Sequence, residues 1–172
     1  MGMTGLYWAY EHFDLEPDCV AFGKKAQVCG FLCSPRIDEV ESNVFHEGSR
    51  LNSTWGGNLV DMVRCAKYIE IMEEEKLIDK SATEGKYLLE QLNSIQKDNP
   101  DVIFNTRGKG LMCAFNLKDD VTRDKLIDKC FEKGLIILSC GHSAIRFRPA
   151  LNIKREELDK GLNIINDVIK EL

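Results

Sequence analysis

The sequence predicts an α/β fold in its first part and a smaller α+β unit in its second part. Short apolar runs within residues 19–34 are typical of strands in a layered α/β sheet. Helical patterns fill most of residues 59–96, and from residue 101 onward short strand patterns alternate with helical ones. The two parts are expected to be residues 1–75 and residues 76–172.

The chain starts with a segment that is rich in glycine and then in aromatic residues. Tyr7, Trp8 and Tyr10 fit a short helical turn over Leu6–His12, with their rings packed inward. A loop over Asp14–Pro17 then leads to the first predicted strand.

An uncharged run, Cys19–Phe22, predicts this strand and is typical of a strand buried on both faces. Gly23 ends the run, and Lys24 follows where open α/β sheets place ligands. Beside an apolar run and a second lysine, Lys25, such an amine can be uncharged at neutral pH and attack a carbonyl carbon. This indicates a Schiff base, as with pyridoxal 5'-phosphate (PLP). The alternative is an exposed pair of lysines at a strand end.

A second apolar strand is expected over residues 26–34, next to the first strand. The polar residues from Pro35 to Asn43 indicate a connection on the surface.

Two hydroxyl side chains precede the next predicted helix. Ser53 and Thr54 are followed by a tryptophan, two glycines and Asn58. A helix N-terminus with hydroxyls and backbone N–H groups is a natural anion site. The alternative is that the segment only caps the helix, through Asn58 or Gly57.

Two helices are predicted in the middle of the chain. The first runs from about residue 59 to about residue 75, and its acidic end predicts a break near Lys76. The second runs from about residue 78 to about residue 96 and stops at Asp98–Pro100. The first helix carries apolar residues at helical spacing, namely Leu59, Met62, Val63, Ala66, Ile69 and Met72.

The second part alternates strands and helices. The patterns predict strands at Val102–Asn105, Leu111–Leu117, Leu135–Leu138 and Ala144–Phe147, a turn at Gly108–Gly110, and helices at Asp120–Lys133 and Ile153–Leu172. In the first of these helices Leu126, Ile127 and Phe131 are expected to point inward, and Gly134 is expected to end it.

Two arginines alternate with apolar residues on the last predicted strand. Arg146 and Arg148 are separated by one residue, so both side chains should face the same way. Arginine binds carboxylates in a bidentate manner. The alternative is a solvated strand face.

Composition excludes several classes of protein. A net charge of −5 disfavours general binding to nucleic acid or to anionic membranes. The N-terminus has neither the basic nor the apolar region of a signal peptide, and no apolar run approaches the ~20 residues of a membrane span. The seven cysteines are an odd number among apolar neighbours, which suits free thiols in a reducing cytoplasm. Cys29 and Cys33 lack the further ligands of a zinc site, so no metal is expected.

Four segments in the same order resemble the C-terminal part of a class III PLP-dependent aminotransferase. These segments are Pro17–Gly30 with the Schiff-base lysine, Ser49–Arg64 with the phosphate-binding residues, Arg107–Leu117 with the first hairpin of the small domain, and Ile145–Leu151 with the carboxylate-binding arginine. Within that family the chain is most similar to the L-lysine 6-aminotransferases. The resemblance implies part of a fold type I large domain in residues 1–75, with a linking helix, and a small α+β domain in residues 76–172.

The resemblance also implies roles for particular residues. Lys24 is similar to the lysine that holds the cofactor and moves the proton during transamination. Thr54, with Ser53, is similar to the residue that reaches the cofactor phosphate of the partner subunit in a homodimer. Arg146 is similar to the arginine that binds the carboxylate of the amino donor or of 2-oxoglutarate. Gln27 matches a position without an assigned role.

Members of this family are more than twice as long as this chain. The aspartate that pairs with the pyridine nitrogen of PLP lies upstream of the matching region, as do the glycine-rich phosphate turn and the aromatic residue that stacks on the ring. We therefore expect a truncated aminotransferase with little or no turnover alone. The implied reaction moves the terminal amine of lysine to 2-oxoglutarate; 4-aminobutyrate or ornithine as donor, and a non-catalytic fragment, are the alternatives.

Overall fold

The computed structural model describes residues 1–54 and 57–172 and divides the chain into two compact units. The first unit contains Met1 and Trp8–Lys76, and the second contains Gly2–Tyr7 and Leu77–Leu172. The first residues of the chain thus pack with the second unit. In the described residues no helix is long and apolar enough to cross a bilayer.

The first unit is built around a small hairpin. Strands β1 (Cys19–Phe22) and β2 (Gly30–Cys33) pair antiparallel, with Cys19 opposite Cys33 and Phe22 opposite Gly30. Helix α1 (Leu59–Glu74) follows, and two 3₁₀ turns cover Ala9–Phe13 and Pro35–Glu39.

The expectation that β1 is buried on both faces is wrong for this structure. Cys19 and Ala21 are exposed, while Val20 and Phe22 are half-buried. Within the described part of the chain the sheet that contains β1 has two strands, so β1 pairs with β2 alone. The apolar run identified the strand correctly but not its environment.

Helix α1 begins and ends as the sequence predicts. The side-chain oxygen of Asn58 accepts a hydrogen bond from the backbone N–H of Val60 at 3.0 Å, which is a normal N-cap. Lys76, just beyond the helix, has a φ of +50° and breaks the chain direction. Of the predicted apolar stripe, Met72 is buried, whereas Leu59 and Val63 are exposed.

The second unit is a four-stranded antiparallel sheet with helices packed on one face. The strand order is β3-β4-β6-β5. The elements are α2 (Leu77–Asp98), β3 (Ile103–Lys109), β4 (Met112–Leu117), α3 (Asp120–Glu132), β5 (Leu138–Cys140), β6 (Ala144–Phe147) and α4 (Arg155–Ile169). A single core joins the three helices to the sheet through side chains such as Leu92, Phe115, Leu126, Ile145 and Ile165.

The predicted hairpin turn is shorter than expected. Gly108 and Lys109 still belong to β3, where they pair with Cys113 and Met112, so the turn consists of Gly110 and Leu111. The ladder is irregular between Phe104 and Arg107, and this bulge adds length to β3.

Helix α3 and the strand after it also differ from the prediction. Phe131 is 66% exposed, whereas Cys130 is fully buried, because the buried positions are spaced by four residues from Leu126. The N–H of Leu135 donates to the carbonyl of Cys130 at 2.8 Å and so completes the helix C-terminus. The strand therefore starts at Leu138 rather than at Leu135.

Two hydrogen bonds hold the first residues against the second unit. The carbonyl of Met3 accepts from the buried hydroxyl of Ser81 at 2.8 Å and from the N–H of Leu111 at 2.9 Å. The N-terminal backbone approaches closely here, since a Cβ atom on Gly110 would overlap the backbone of Met3 and Thr4. This crossing explains why Gly2–Tyr7 does not belong to the first unit.

Candidate functional site

Lys24 lies on a tight turn directly after β1. The N–H of Ala26 donates to the carbonyl of Gly23 at 2.7 Å, and the side-chain amide of Gln27 donates to the carbonyl of Lys24 at 3.1 Å. Ala26 is buried and anchors the turn, whereas the side chain of Lys24 is exposed. The backbone under the amine is therefore fixed, and the amine itself reaches solvent.

Gln27 is a residue that the sequence did not explain. Its φ is +63°, a left-handed conformation that is uncommon for a residue other than glycine. This conformation returns its side chain to the carbonyl of Lys24. Gln27 therefore shapes the turn that presents Lys24.

Aromatic side chains pack beside the end of β1. The ring centroid of Trp8 lies 6.2 Å from that of Phe22 and 6.4 Å from that of Tyr10. The helical turn that the sequence placed at Leu6–His12 is a 3₁₀ turn over Ala9–Phe13. These rings give the hairpin a packed side next to Lys24.

Ser53 and Thr54 are exposed in the segment before α1. The helix takes its cap from Asn58, as the capping alternative predicts. Trp55 and Gly56, which complete the predicted phosphate-binding segment, lie outside the described residues.

Arg146 and Arg148 both project from the exposed side of the strand end, as the alternation predicts. Ile145, the residue before Arg146, is fully buried, while both arginines are exposed. They line a cavity of about 200 Å³ together with Glu157 and the apolar segment Leu135–Leu138. The arrangement can bind a carboxylate next to apolar surface.

The candidate residues are distributed over both units. Lys24, Ser53 and Thr54 belong to the first unit and Arg146 belongs to the second.

Ion pairs in the second unit shift the pKa values of the groups that form them. Glu84 binds Arg155 through two hydrogen bonds at 2.5 and 2.9 Å and raises the pKa of that guanidinium. Lys133 and Lys129 lower the pKa of Glu171 to about 2 by hydrogen bonding to its carboxylate. These pairs join helices and are separate from the candidate site.

Within residues 1–54 and 57–172, no three His, Cys, Asp or Glu side chains form a group that could hold a metal ion.

The model of the class-III aminotransferase family matches residues 1–169. The chain belongs to the class-III aminotransferases. This membership confirms the resemblance that four sequence segments indicated and accounts for the α/β hairpin unit and the α+β unit.

Several relatives within the family are L-lysine-epsilon aminotransferases. The chain is 45% identical to the enzyme of Mycobacterium tuberculosis over 168 residues, which cover 98% of this chain and 37% of the relative. It is 47% identical to the enzyme of Amycolatopsis lactamdurans over 165 residues, covering 95% of this chain and 37% of the relative. The mitochondrial 4-aminobutyrate aminotransferase of Homo sapiens is 34% identical over 172 residues, which cover 99% of this chain and 33% of that protein.

The fold agrees with a solved structure of the lysine aminotransferase of M. tuberculosis in its internal aldimine form. The TM-score is 0.94 at 45% identity, and the match covers 99% of this chain and 39% of that chain. The 172 residues thus span less than two fifths of each of these relatives.

Proposed function

We propose that this chain carries part of an ω-aminotransferase that transfers the 6-amino group of L-lysine to 2-oxoglutarate with PLP. The observation that carries the proposal is the 45–47% identity to L-lysine-epsilon aminotransferases over nearly the whole chain. The lower identity of 34% to a 4-aminobutyrate aminotransferase makes that donor, or ornithine, the second candidate.

The residues of this chain fit PLP by their chemistry. An exposed amine stands on a turn fixed by Ala26 and Gln27, and exposed hydroxyls precede a helix N-terminus that already has its own cap. When bound, PLP supplies an aldehyde for an amine and an electron-poor ring that stabilises negative charge at the substrate carbon.

We assign a separate task to each candidate residue. The Nζ atom of Lys24 would bind the cofactor covalently and later move a proton to and from the substrate carbon. The hydroxyls of Ser53 and Thr54 would donate hydrogen bonds to the cofactor phosphate of a partner subunit. The guanidinium of Arg146 would bind a substrate carboxylate through two parallel hydrogen bonds.

These assignments require a homodimer with shared sites, and we propose that assembly for the full-length protein. We also propose that residues 1–75 and 76–172 correspond to the large and small domains of the family, and that the protein is cytoplasmic. The 172-residue polypeptide by itself should turn over slowly, because Lys24 is exposed to water and transamination needs a dry site.

The test of Lys24 is covalent trapping. The polypeptide is incubated with PLP, reduced with borohydride and digested, and the labelled lysine is identified by mass spectrometry. We expect the label on Lys24, its loss in Lys24→Ala, and its retention in the matched neighbour variant Lys25→Ala. Equal labelling of both lysines would show only two exposed amines and would contradict the proposal.

The test of the reaction uses lysine-dependent formation of glutamate from 2-oxoglutarate. In a full-length protein that contains this sequence, lysine should be a better donor than 4-aminobutyrate or ornithine. A preference for either of the other donors would move the assignment to the second candidate. Turnover by the 172 residues alone at the rate of the full-length protein would contradict the expected low activity.

A further inference from the structure

Two cysteines face each other across the β1–β2 hairpin. Cys19 is directly opposite Cys33 in the ladder, and their Sγ atoms are 3.7 Å apart. Both are free thiols in the structure; Cys19 is exposed and Cys33 is partly exposed. The pair is therefore close and reachable from solvent.

The strand register suits a covalent bond between these thiols. The N–H of Ser34 donates to the carbonyl of Asp18 at 2.8 Å, so Asp18 and Ser34 form a hydrogen-bonded pair. Hydrogen-bonded and non-hydrogen-bonded pairs alternate in an antiparallel ladder, which makes Cys19 and Cys33 a non-hydrogen-bonded pair with a typical Cα separation of about 4.5 Å. Disulfides accept Cα separations of about 4.4–6.8 Å and need an S–S distance of about 2.05 Å. Side-chain rotation is thus sufficient to close the gap.

We propose that Cys19 and Cys33 form a reversible cross-strand disulfide when the protein meets a small-molecule disulfide such as oxidised glutathione. The Cys19 sulfur attacks one glutathione sulfur, forms a mixed disulfide and releases one molecule of reduced glutathione. The Cys33 sulfur then attacks the Cys19 sulfur and releases the second. The two protein thiols are oxidised, oxidised glutathione is reduced, and the two thiol protons pass to the released glutathione.

The order of attack follows from the surroundings of the two thiols. Partial burial, and after it the hydrogen bond with Cys19, raise the pKa of Cys33. Cys19 is the more exposed sulfur and is therefore the first to react. Cys113 and Cys130 do not compete, because burial raises the pKa of each thiol to about 11.

The bond would close a loop that contains Lys24, since the two cysteines are 14 positions apart on either side of the turn. It would restrict the segment that presents this amine, through the loss of chain freedom that any such cross-link imposes. The thiol chemistry itself is independent of the proposed transamination.

The test starts from the reduced 172-residue polypeptide and oxidised glutathione. Remaining thiols are alkylated, and the tryptic peptides are identified by mass spectrometry. Cleavage at Lys24 and Lys25 separates the two cysteines, so the expected product is one peptide ending at Lys24 joined to one ending at Arg36. Dithiothreitol should separate them again.

Matched variants identify the sulfurs involved. The second peptide also contains Cys29, so Cys29→Ser should keep the link while Cys33→Ser and Cys19→Ser abolish it. Cys140→Ser, which changes an exposed cysteine of the second unit, should also keep it. A link from Cys19 to Cys29, or a stable glutathione adduct on Cys19 with Cys33 still alkylated, would overturn the proposal.

Hydrogen exchange tests the effect on the hairpin. Amides within residues 19–33 should exchange roughly tenfold more slowly in the oxidised protein, because local opening of a cross-linked loop is less favourable. Unchanged exchange in the presence of the bond would overturn the inference that it restricts the Lys24 turn.

Discussion

At the scale of single residues, Gln27 shapes the turn after β1, and Cys130 fills a buried position of α3. The strand end before Lys24 could be predicted, because an uncharged run that ends at a glycine defines it from local sequence alone. Gln27 could not be assigned, because its role depends on a positive φ and on a hydrogen bond to the carbonyl of Lys24. Phe131 was placed inward on hydrophobicity, although Cys130 occupies the buried position.

The contrast between two phenylalanines gives a test at this scale. Phe115 is fully buried, and its ring lies 5.6 Å from that of Phe147. Phe115→Ala should lower the free energy of unfolding of the second unit by about 3–5 kcal/mol, through lost burial and the cavity left behind. Chemical denaturation followed by circular dichroism measures this change.

Phe131→Ala is the matched control, since the same atoms are removed from an exposed position. Its free energy of unfolding should stay within about 0.5 kcal/mol of the original. A large loss in this variant would mean that Phe131 packs inward after all.

Among elements, the helices were predicted more accurately than the strands. Helix α4 buries Leu158, Leu162, Ile165, Val168 and Ile169, and this amphipathic period can be read directly from the sequence. The start of β5 was misplaced, since Leu135 is taken up by the C-terminal hydrogen bond of α3. Such a hydrogen bond depends on how the helix ends, and it produces no periodic pattern of apolar residues in the sequence.

Two glycines inside helices should respond oppositely to the same change. Gly161→Ala in α4 should stabilise the second unit by about 0.5–1 kcal/mol, because alanine has a higher helix propensity than glycine. The new Cβ atom fits there, since it would lie 3.5 Å from the side chain of Leu135, an ordinary contact distance. Gly85→Ala in α2 should destabilise it by about 1–3 kcal/mol, because the new methyl group meets the backbone of Gly110. Thermal unfolding of the two variants side by side measures both signs; a stabilised Gly85→Ala would contradict the close approach.

The ion pairs between α3 and the C-terminal end of the chain give a pH dependence. Lys133 and Lys129 hold the pKa of Glu171 at about 2, below its usual value of 4.5. The stabilisation is therefore complete above about pH 4.5 and is lost as the pH falls toward 2. Urea unfolding between these pH values should show a smaller loss of stability in Glu171→Gln than in the unchanged protein. Identical pH profiles would show that the pairs contribute nothing in solution.

At the scale of the whole molecule, the two units differ in how much they bury. Among the described residues of the first unit, the buried side chains are those of Ala26, Asn43 and Met72. The second unit has a continuous core that joins three helices to its sheet. Local sequence patterns do not show this difference, because burial depends on what covers each element.

Hydrogen exchange should resolve this difference. Amides of β1 and β2 should exchange much faster than those of β4 and β6, because opening the hairpin exposes little apolar surface. Exchange followed by mass spectrometry on the 172-residue polypeptide measures both sets in one sample. Equal protection of the two sheets would contradict the inference that the first unit is the less stable one.

The crossing of Met3 into the second unit makes that unit discontinuous in sequence, with residues 8–76 forming an insertion between its two pieces. A protease cut after Lys76 would therefore not release an intact C-terminal fragment. Without Met3, the buried hydroxyl of Ser81 and the N–H of Leu111 lose their shared acceptor, and an unsatisfied buried polar group costs about 1–3 kcal/mol. Attempts to isolate this fragment need the N-terminal heptapeptide, supplied in cis by circular permutation or in trans as a synthetic peptide.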